Sequence, residues 1–281
     1  MVDNSNTTTY VSVLRDAKPL NKFSDSYVIG EPTTNRKMYK YINMSVAQKV
    51  IKDGYITFRF QQPSNWDDEY EMLFYNADYS EITSDAKTHP KLYACCFTFD
   101  KICEASWKQY SGNIGAGKNC VRLHINKGAF RKAIADYAED KGFKIYEGPV
   151  YYRGEYLIEN LLNSSSSIQN ENIKRQHEEL FCGDFKIDNY LSLLLLKRVL
   201  FEYEKEYRFF LVNTRGRIYK KIDVQVPIKS VVDKIMLSDN CDNKYKKSFR
   251  EFCQKEGIDY MLSEEKIYRL DKKFIGVTIN K

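Results

Sequence analysis

The sequence has little of what several common classes of protein need. Its three histidines, His89, His124 and His177, do not stand at the i, i+4 spacing of a helical metal-binding pair. None of its seven cysteines forms a Cys-x-x-Cys pair, which argues against a zinc site or a disulfide scaffold and favours a reducing cytoplasm. The longest mostly apolar run, residues 191–196, is too short to span a bilayer, and the first ten residues lack the basic and apolar segments of a secretory signal. We therefore expect a cytoplasmic protein with no membrane span and no metal site.

The composition is that of a folded chain with a mild positive charge. Hydrophobic residues make up 43% and aromatic residues 14% of the 281 residues, which excludes a disordered chain. The formal net charge of +6 comes from 44 basic and 38 acidic side chains mixed along the sequence. Such a mixture permits a nucleic-acid or nucleotide partner without indicating one.

Alternating strand and helix patterns predict one α+β domain over residues 37–281, with a central, mostly antiparallel sheet and flanking helices. Residues 1–36 show no clear period and are predicted to be a loose arm or an edge strand. The polar run NSSSSIQNEN predicts a mobile loop at about residues 163–175. The strongest helix pattern covers about residues 190–201. A strand–helix–strand unit is predicted at the C-terminal end, from residues 235–237, 244–256 and 258–262.

The stretch LSLLLLKRVLFEYEKEYRFFLV, residues 191–212, contains the most informative pair of side chains. Its helix-like apolar run leads into a strand-like segment that carries Glu204 and Glu206. Residues two apart on a strand point to the same face, so both carboxylates would share one cleft. When two negative charges lie so close together, the pKa of at least one carboxyl group is raised. General acid/base or oxocarbenium chemistry often requires such a raised pKa. The alternative is that Glu206 pairs with Arg208 or Lys205 on an exposed sheet face.

Several short segments, in the same order, resemble a bacterial family known as domain of unknown function 2971. They are MYKY (residues 38–41), PSNWDDEYE (63–71), CFT (96–98), SWKQY (106–110) and FEYEKEYR (201–208). Phe201 departs from the pattern, because the family more often has tryptophan there. Members of this family are often encoded near mobile-element and phage-defence genes. The resemblance therefore implies a role in defence or as a toxin.

The order of these parts is also similar to that of the ADP-ribosyltransferase superfamily, which implies NAD as the substrate. By this resemblance, Glu206 would bind the nicotinamide ribose and stabilise the oxocarbenium-like state, while Glu204 would orient the acceptor. Thr98 would stand in place of the middle-motif serine. The remaining cofactor contacts that the resemblance implies are Lys40 or Tyr41 on the first strand, and Tyr39 or Tyr110 stacked on nicotinamide.

Three hypotheses for the function remain open. The first is an NAD-consuming, ADP-ribosyltransferase-like effector of phage defence or a toxin system, which modifies a nucleic-acid or protein acceptor. The second is a non-catalytic sensor or interaction module that binds nucleic acid, a phage protein or a partner protein of a defence system. The third is a magnesium-dependent nuclease that uses Asp67, Asp68 and Glu71.

Overall fold

The computed structural model describes residues 17–19, 26–30, 37–66, 68–79, 91–99, 106–107, 119–163, 167–181, 185–213, 219–238 and 241–263. The predicted α+β class is confirmed. The chain divides into two compact units. The first unit comprises Met1–Arg36, Thr57–Phe99 and Arg131–Gln225, and the second comprises Lys37–Ile56, Asp100–Phe130 and Val226–Lys281.

The described strands and helices follow one another along both units. In chain order they are β1 (Ala17–Pro19), β2 (Ser26–Ile29), β3 (Lys37–Asn43), α1 (Met44–Val50), β4 (Ile51–Lys52), β5 (Tyr55–Gln61), α2 (Glu69–Asn76), β6 (Leu92–Thr98), β7 (Cys120–Asn126), α3 (Lys127–Lys141), β8 (Phe143–Pro149), β9 (Tyr151–Arg153), α4 (Glu155–Leu161), α5 (Glu171–Phe181), α6 (Ile187–Leu193), β10 (Leu196–Arg198), β11 (Glu206–Asn213), β12 (Lys221–Pro227), α7 (Ile228–Val231), β13 (Val232–Leu237), α8 (Asn243–Glu256) and β14 (Asp259–Leu262). Short 3₁₀ helices cover Pro63–Asn65 and Val199–Glu204.

The first unit is built on a sheet in which β11 is a central strand. β11 pairs antiparallel with β6 on one side and with β8 on the other. β8 also pairs in parallel with β2, and β6 pairs with β5, which in turn pairs with β12. Seven of the eight residues of β11 are buried, as expected for a strand covered on both faces. Helices α4, α5 and α6 contribute Ile158, Leu180 and Leu191 to the core that packs against Phe210 of β11.

Two parts of the first unit have more regular structure than the sequence indicates. Within residues 1–36, predicted to be a loose arm or an edge strand, Ser26–Ile29 is strand β2, and its residue Ile29 is buried in the core. Within the predicted loop, helix α5 begins at Glu171. The side chain of Asn170 accepts hydrogen bonds from the backbone N–H groups of Asn172 (3.0 Å) and Ile173 (3.3 Å), and these bonds stabilise the first turn of α5.

The predicted helix over residues 190–201 is wrong beyond Leu193, where α6 ends. The chain then turns and forms β10, which pairs in parallel with β9 as a separate two-stranded sheet. All the leucines from Leu191 to Leu196 are buried. A short run that is buried on every side has no amphipathic period, so the sequence pattern cannot distinguish a helix from a strand here.

The second unit contains the predicted C-terminal strand–helix–strand unit, which is confirmed. β13 pairs in parallel with β14, and α8 connects them. Phe249 and Cys253 are buried on one face of α8, and Gly257 ends the helix in the left-handed conformation (φ 68°) that favours glycine. On its other side β13 pairs antiparallel with β7, which pairs antiparallel with β3.

The helices of the described ranges are all too short or too polar to cross a membrane.

Candidate functional site

Glu206 is the first residue of β11 and lies in the first unit, opposite Thr98 of β6. Glu204 lies at the end of the 3₁₀ helix, so the prediction that both glutamates lie on one strand and point to the same face of it is wrong. Between them, Lys205 adopts a left-handed conformation (φ 42°, ψ 49°) that turns the chain into the strand. The hydroxyl of Thr98 donates a hydrogen bond to the backbone carbonyl of Glu204, which fixes this turn.

The two carboxylates nevertheless meet, because both bind the ammonium group of Lys197 on β10. The Nζ atom of Lys197 lies 2.7 Å from Glu204 Oε2 and 3.2 Å from Glu206 Oε2. A third carboxylate, that of Glu71 on α2, lies 2.8 Å from the same Nζ atom. Only 10% of the Lys197 side chain is exposed, and its Nζ lies 4.9 Å from the centre of the Phe201 ring. One lysine therefore connects three acidic side chains from three elements.

Arg208 on β11 binds two of these three carboxylates from a second direction. Its Nε and Nη2 atoms donate to the two oxygens of Glu206 at 2.8 and 2.9 Å, and Nη2 also donates to Glu71 at 2.7 Å. Its Nη1 atom donates to the carbonyl oxygen of Leu194 at 2.6 Å. The guanidinium carbon lies 4.2 Å from the ring centre of Trp66, within the range of a cation–π contact. These contacts leave 1% of the Arg208 side chain exposed.

We call these five side chains the charged cluster: Glu71, Glu204, Glu206, Lys197 and Arg208. The alternative prediction, that Glu206 pairs with Arg208, is correct. The prediction that this pair lies on an exposed sheet face is wrong, because both side chains are buried. Lys205 pairs with Glu202 instead, at 2.9 Å and with both side chains exposed. When all five groups are ionised, three carboxylates and two cations leave the cluster with a net charge of −1.

The environment moves the pKa values of the two glutamates in opposite directions. Burial alone would raise the pKa of Glu206, but the charges of Arg208 and Lys197 outweigh it and hold that pKa well below its usual range. Burial raises the pKa of Glu204, and the charge of Lys197 offsets this only in part. Lys197 itself has a raised pKa, because Glu206 and Glu71 outweigh the effect of its own burial. Glu206 is therefore held ionised, while Glu204 binds a proton more readily than an ordinary glutamate.

A second ion-pair group surrounds Arg198, the residue after Lys197. Arg198 lies 3.1 Å from Asp68 and 3.0 Å from Glu155, and its guanidinium carbon lies 4.4 Å from the ring centre of Tyr70. Asp68 also caps α2 by accepting a hydrogen bond from the backbone N–H of Tyr70 (3.0 Å). Two acids of the nuclease hypothesis, Asp68 and Glu71, are thus paired with basic side chains, and the third, Asp67, lies outside the described residues. Over the described ranges, no group of three or more His, Cys, Asp or Glu side chains is arranged so that it could hold a metal ion.

Of the other predicted contact residues, three lie in the second unit and one lies outside the described residues. Tyr39, Lys40 and Tyr41 belong to β3 of the second unit. There Arg122 donates from Nη1 to the Tyr41 hydroxyl at 3.2 Å, and its guanidinium carbon lies 5.5 Å from the Tyr39 ring centre. Tyr110 lies outside the described residues. Of the predicted site residues, the structure brings together Thr98, Glu204 and Glu206.

Sequence reasoning did not identify Lys197, Arg208, Glu71 and Trp66 as one site. One signal was available, because Lys197 directly follows a run of buried leucines, and a lysine in such a place is seldom buried unless it is paired. The acidic segment that contains Trp66 and Glu71 was also visible as a carboxylate cluster. What connects these segments is contact between side chains that are distant in the chain, which no local pattern records.

Comparison with known proteins returned no match: no family model fits the chain, and no curated protein is similar to it. The two resemblances described above therefore rest on their motifs alone.

Proposed function

We propose that this protein is an NAD-consuming enzyme of the ADP-ribosyltransferase type that acts in bacterial phage defence or as a toxin, with Glu204 and Glu206 as its catalytic pair. The observation that carries the proposal is that both carboxylates converge on Lys197 while their pKa values shift in opposite directions. Two neighbouring carboxyl groups with separated pKa values are a common means of assigning a proton-transfer role and a charge role in one site.

The chemistry of the reaction fits this division. When nicotinamide leaves NAD, the bond from the ribose carbon to the ring nitrogen breaks, its electron pair stays on nicotinamide, and positive charge develops on the ribose. The net charge of −1 on the charged cluster would stabilise that oxocarbenium-like state. The acceptor then forms a bond to the ribose carbon and loses a proton. Glu204, whose side chain is 16% exposed, is the accessible carboxylate that would take this proton.

The test is release of nicotinamide from NAD by the purified full-length chain, measured by chromatography. Glu204→Gln and Glu206→Gln remove a charge while nearly keeping the shape of the side chain. Each is expected to lower turnover by about 100-fold or more, the usual effect of losing an acid/base group or a charge at the reacting centre. Glu202→Gln is the matched control, because Glu202 lies on the same 3₁₀ helix but is exposed and paired with Lys205. If the unaltered chain releases no nicotinamide, or Glu206→Gln retains full turnover, the proposal is wrong.

A second candidate is a non-catalytic module that binds nucleic acid or a phage protein. It is supported by the exposed basic side chains of Lys244, Lys247 and Arg250 on α8. Binding through these groups would weaken with salt, with a slope of log K against log salt of about 0.7–0.9 per phosphate contact. Replacing all three residues by Gln should reduce that slope. Retention on nucleic acid that depends on these residues, without NAD turnover, would favour this candidate.

A further inference from the structure

We propose that Glu204 carries one exchangeable proton, and that Lys197 and Glu71 together set the pH at which the proton is lost. The inference deepens the proposed function, because it concerns the regulation by pH of the same site. Glu204 can take the acceptor's proton, and the cluster carries its net charge of −1, only above the pH at which Glu204 loses the proton it holds. It also stands apart from that function, because the proton can be followed in the absence of NAD.

The ion pairs single out Glu204 within the charged cluster. In the described part of the chain Glu204 has one cationic partner, Lys197, whereas Glu71 and Glu206 each pair with both Lys197 and Arg208. Glu204 is also the most exposed of the three carboxylates, with 16% of its side chain accessible against 5% for Glu71 and 8% for Glu206. A proton from solvent therefore reaches Glu204 most easily and breaks the fewest ion pairs there.

The charge balance gives the reason for protonation. With every group ionised the cluster holds one more negative than positive charge, and a buried excess charge is costly. A proton on Glu204 makes the cluster neutral while Lys197 stays bound to Glu71 and Glu206. The pKa of Glu204 is raised by burial, lowered by Lys197 and raised by Glu206 and Glu71, which agrees with this assignment.

Each neighbour of Glu204 acts on its proton in a definite direction. The titratable and charged groups near it come from α2, β9, β10 and β11 and are Glu71, Tyr152, Lys197, Glu206 and Arg208. Burial keeps Tyr152 protonated by raising its pKa well above the usual value, so it stays neutral at physiological pH. Arg208 holds Glu206 ionised. The removal of Lys197 or of Glu71 therefore changes the proton on Glu204 most directly.

The experiment is a carbon-13 NMR titration of the glutamate carboxyl groups in the full-length protein without NAD. The Glu204 signal is assigned by its absence from the spectrum of Glu204→Gln. Lys197→Met removes the cation that binds Glu204 in the described ranges and is expected to raise the midpoint by about 1–3 pH units, the usual effect of losing a close opposite charge. Glu71→Gln removes a neighbouring negative charge and is expected to lower the midpoint. Two control variants should leave the midpoint close to the midpoint of the unaltered protein. Lys197→Arg keeps the positive charge, and Lys205→Met removes a lysine that pairs with Glu202 instead of Glu204.

Opposite shifts in Lys197→Met and Glu71→Gln would support the proposal, because general loosening of the site would move both midpoints in the same direction. An unchanged midpoint in Lys197→Met, or a rise in Glu71→Gln, would overturn it. If Lys197→Met fails to fold, Glu71→Gln decides alone: a lower midpoint supports the proposal, and an unchanged or higher one refutes it. A protein that shows these shifts but releases no nicotinamide would refute the proposed function and leave the proton on Glu204 established.

Discussion

Replacing Arg208 by Met is expected to destabilise the fold strongly. The substitution removes a guanidinium that makes hydrogen bonds of 2.6–2.9 Å to Glu206, Glu71 and the carbonyl oxygen of Leu194. Methionine keeps much of the apolar volume that packs under the Trp66 ring. The change therefore removes mainly charge and hydrogen bonds rather than packing.

The expected loss follows from burial. Without Arg208, Lys197 alone faces three carboxylates, and the net charge of the cluster changes from −1 to −2. Breaking a buried ion pair by removing one partner costs about 3–5 kcal/mol, because the remaining charge is left in a poorly solvated place. Arg59 offers a matched control, since its Nε lies at the same 2.8 Å distance from Asp223, but 46% of its side chain is exposed. Arg59→Met should therefore cost about 0–1 kcal/mol.

Urea unfolding at equilibrium measures both variants. The difference between them should be at least about 2 kcal/mol, read from the shift in midpoint at a common slope. The loss in Arg208→Met should also become smaller at lower pH, because protonation of the freed carboxyl groups relieves their repulsion. If Arg208→Met and Arg59→Met lose the same free energy of unfolding, burial does not decide the strength of these pairs and the reasoning is refuted.

Three further predictions concern the pH dependence of stability and the packing of a glycine. Because the pKa of Glu206 is lowered in the folded state, the ionised side chain contributes to the free energy of unfolding above the ordinary glutamate pKa of about 4.3, and this contribution is lost as pH falls. The urea midpoint of Glu206→Gln should therefore depend less on pH below about 5 than that of the unaltered protein. Because the pKa of Glu204 is raised in the folded state, the unaltered protein should lose stability as pH rises from about 4.3 through the raised value. Glu204→Gln should remove this decline, and a decline that persists in the variant would contradict the raised pKa of Glu204. Gly148→Ala would place its Cβ 2.8 Å from Leu195 Cδ1 and 3.0 Å from the carbonyl oxygen of Ile29, and should cost about 1–3 kcal/mol in thermal unfolding. Gly128→Ala is the control, because Gly128 lies on a helix and the nearest atom to the added Cβ would be 3.6 Å away. This variant should be neutral or more stable by up to about 1 kcal/mol. Equal losses of stability in the two variants would argue against the close contact at Gly148.

The elements that sequence reasoning found correctly are those whose pattern is local. The α8 helix has Phe249 and Cys253 on one face and Gly257 at its end, so periodicity and a C-terminal glycine were enough to predict it. Strand β11 was recognised as a strand-like segment, which its aromatic residues Tyr207, Phe209 and Phe210 favour. The helix predicted over residues 190–201 failed because its leucines are buried on all sides, and pairing of β10 with β9 decided their conformation.

The candidate site divides in the same way. That Glu204 and Glu206 would lie close together was foreseen, although the reason was wrong, because a left-handed residue and Lys197 unite them rather than strand alternation. Arg208 and Glu71 stand 137 positions apart in the chain, and their contact could not be foreseen.

The amino-acid sequence alone determined the α+β class, the amphipathic and buried segments, and the presence of several acids beside apolar runs. These properties depend on neighbours a few positions away, which the order of residues states directly. The tertiary structure alone decided which charges meet, and hence that one lysine and one arginine hold three carboxylates in a buried place. Ion pairing and burial act through space at a few ångströms, so they depend on strand register between distant segments, which no local pattern encodes.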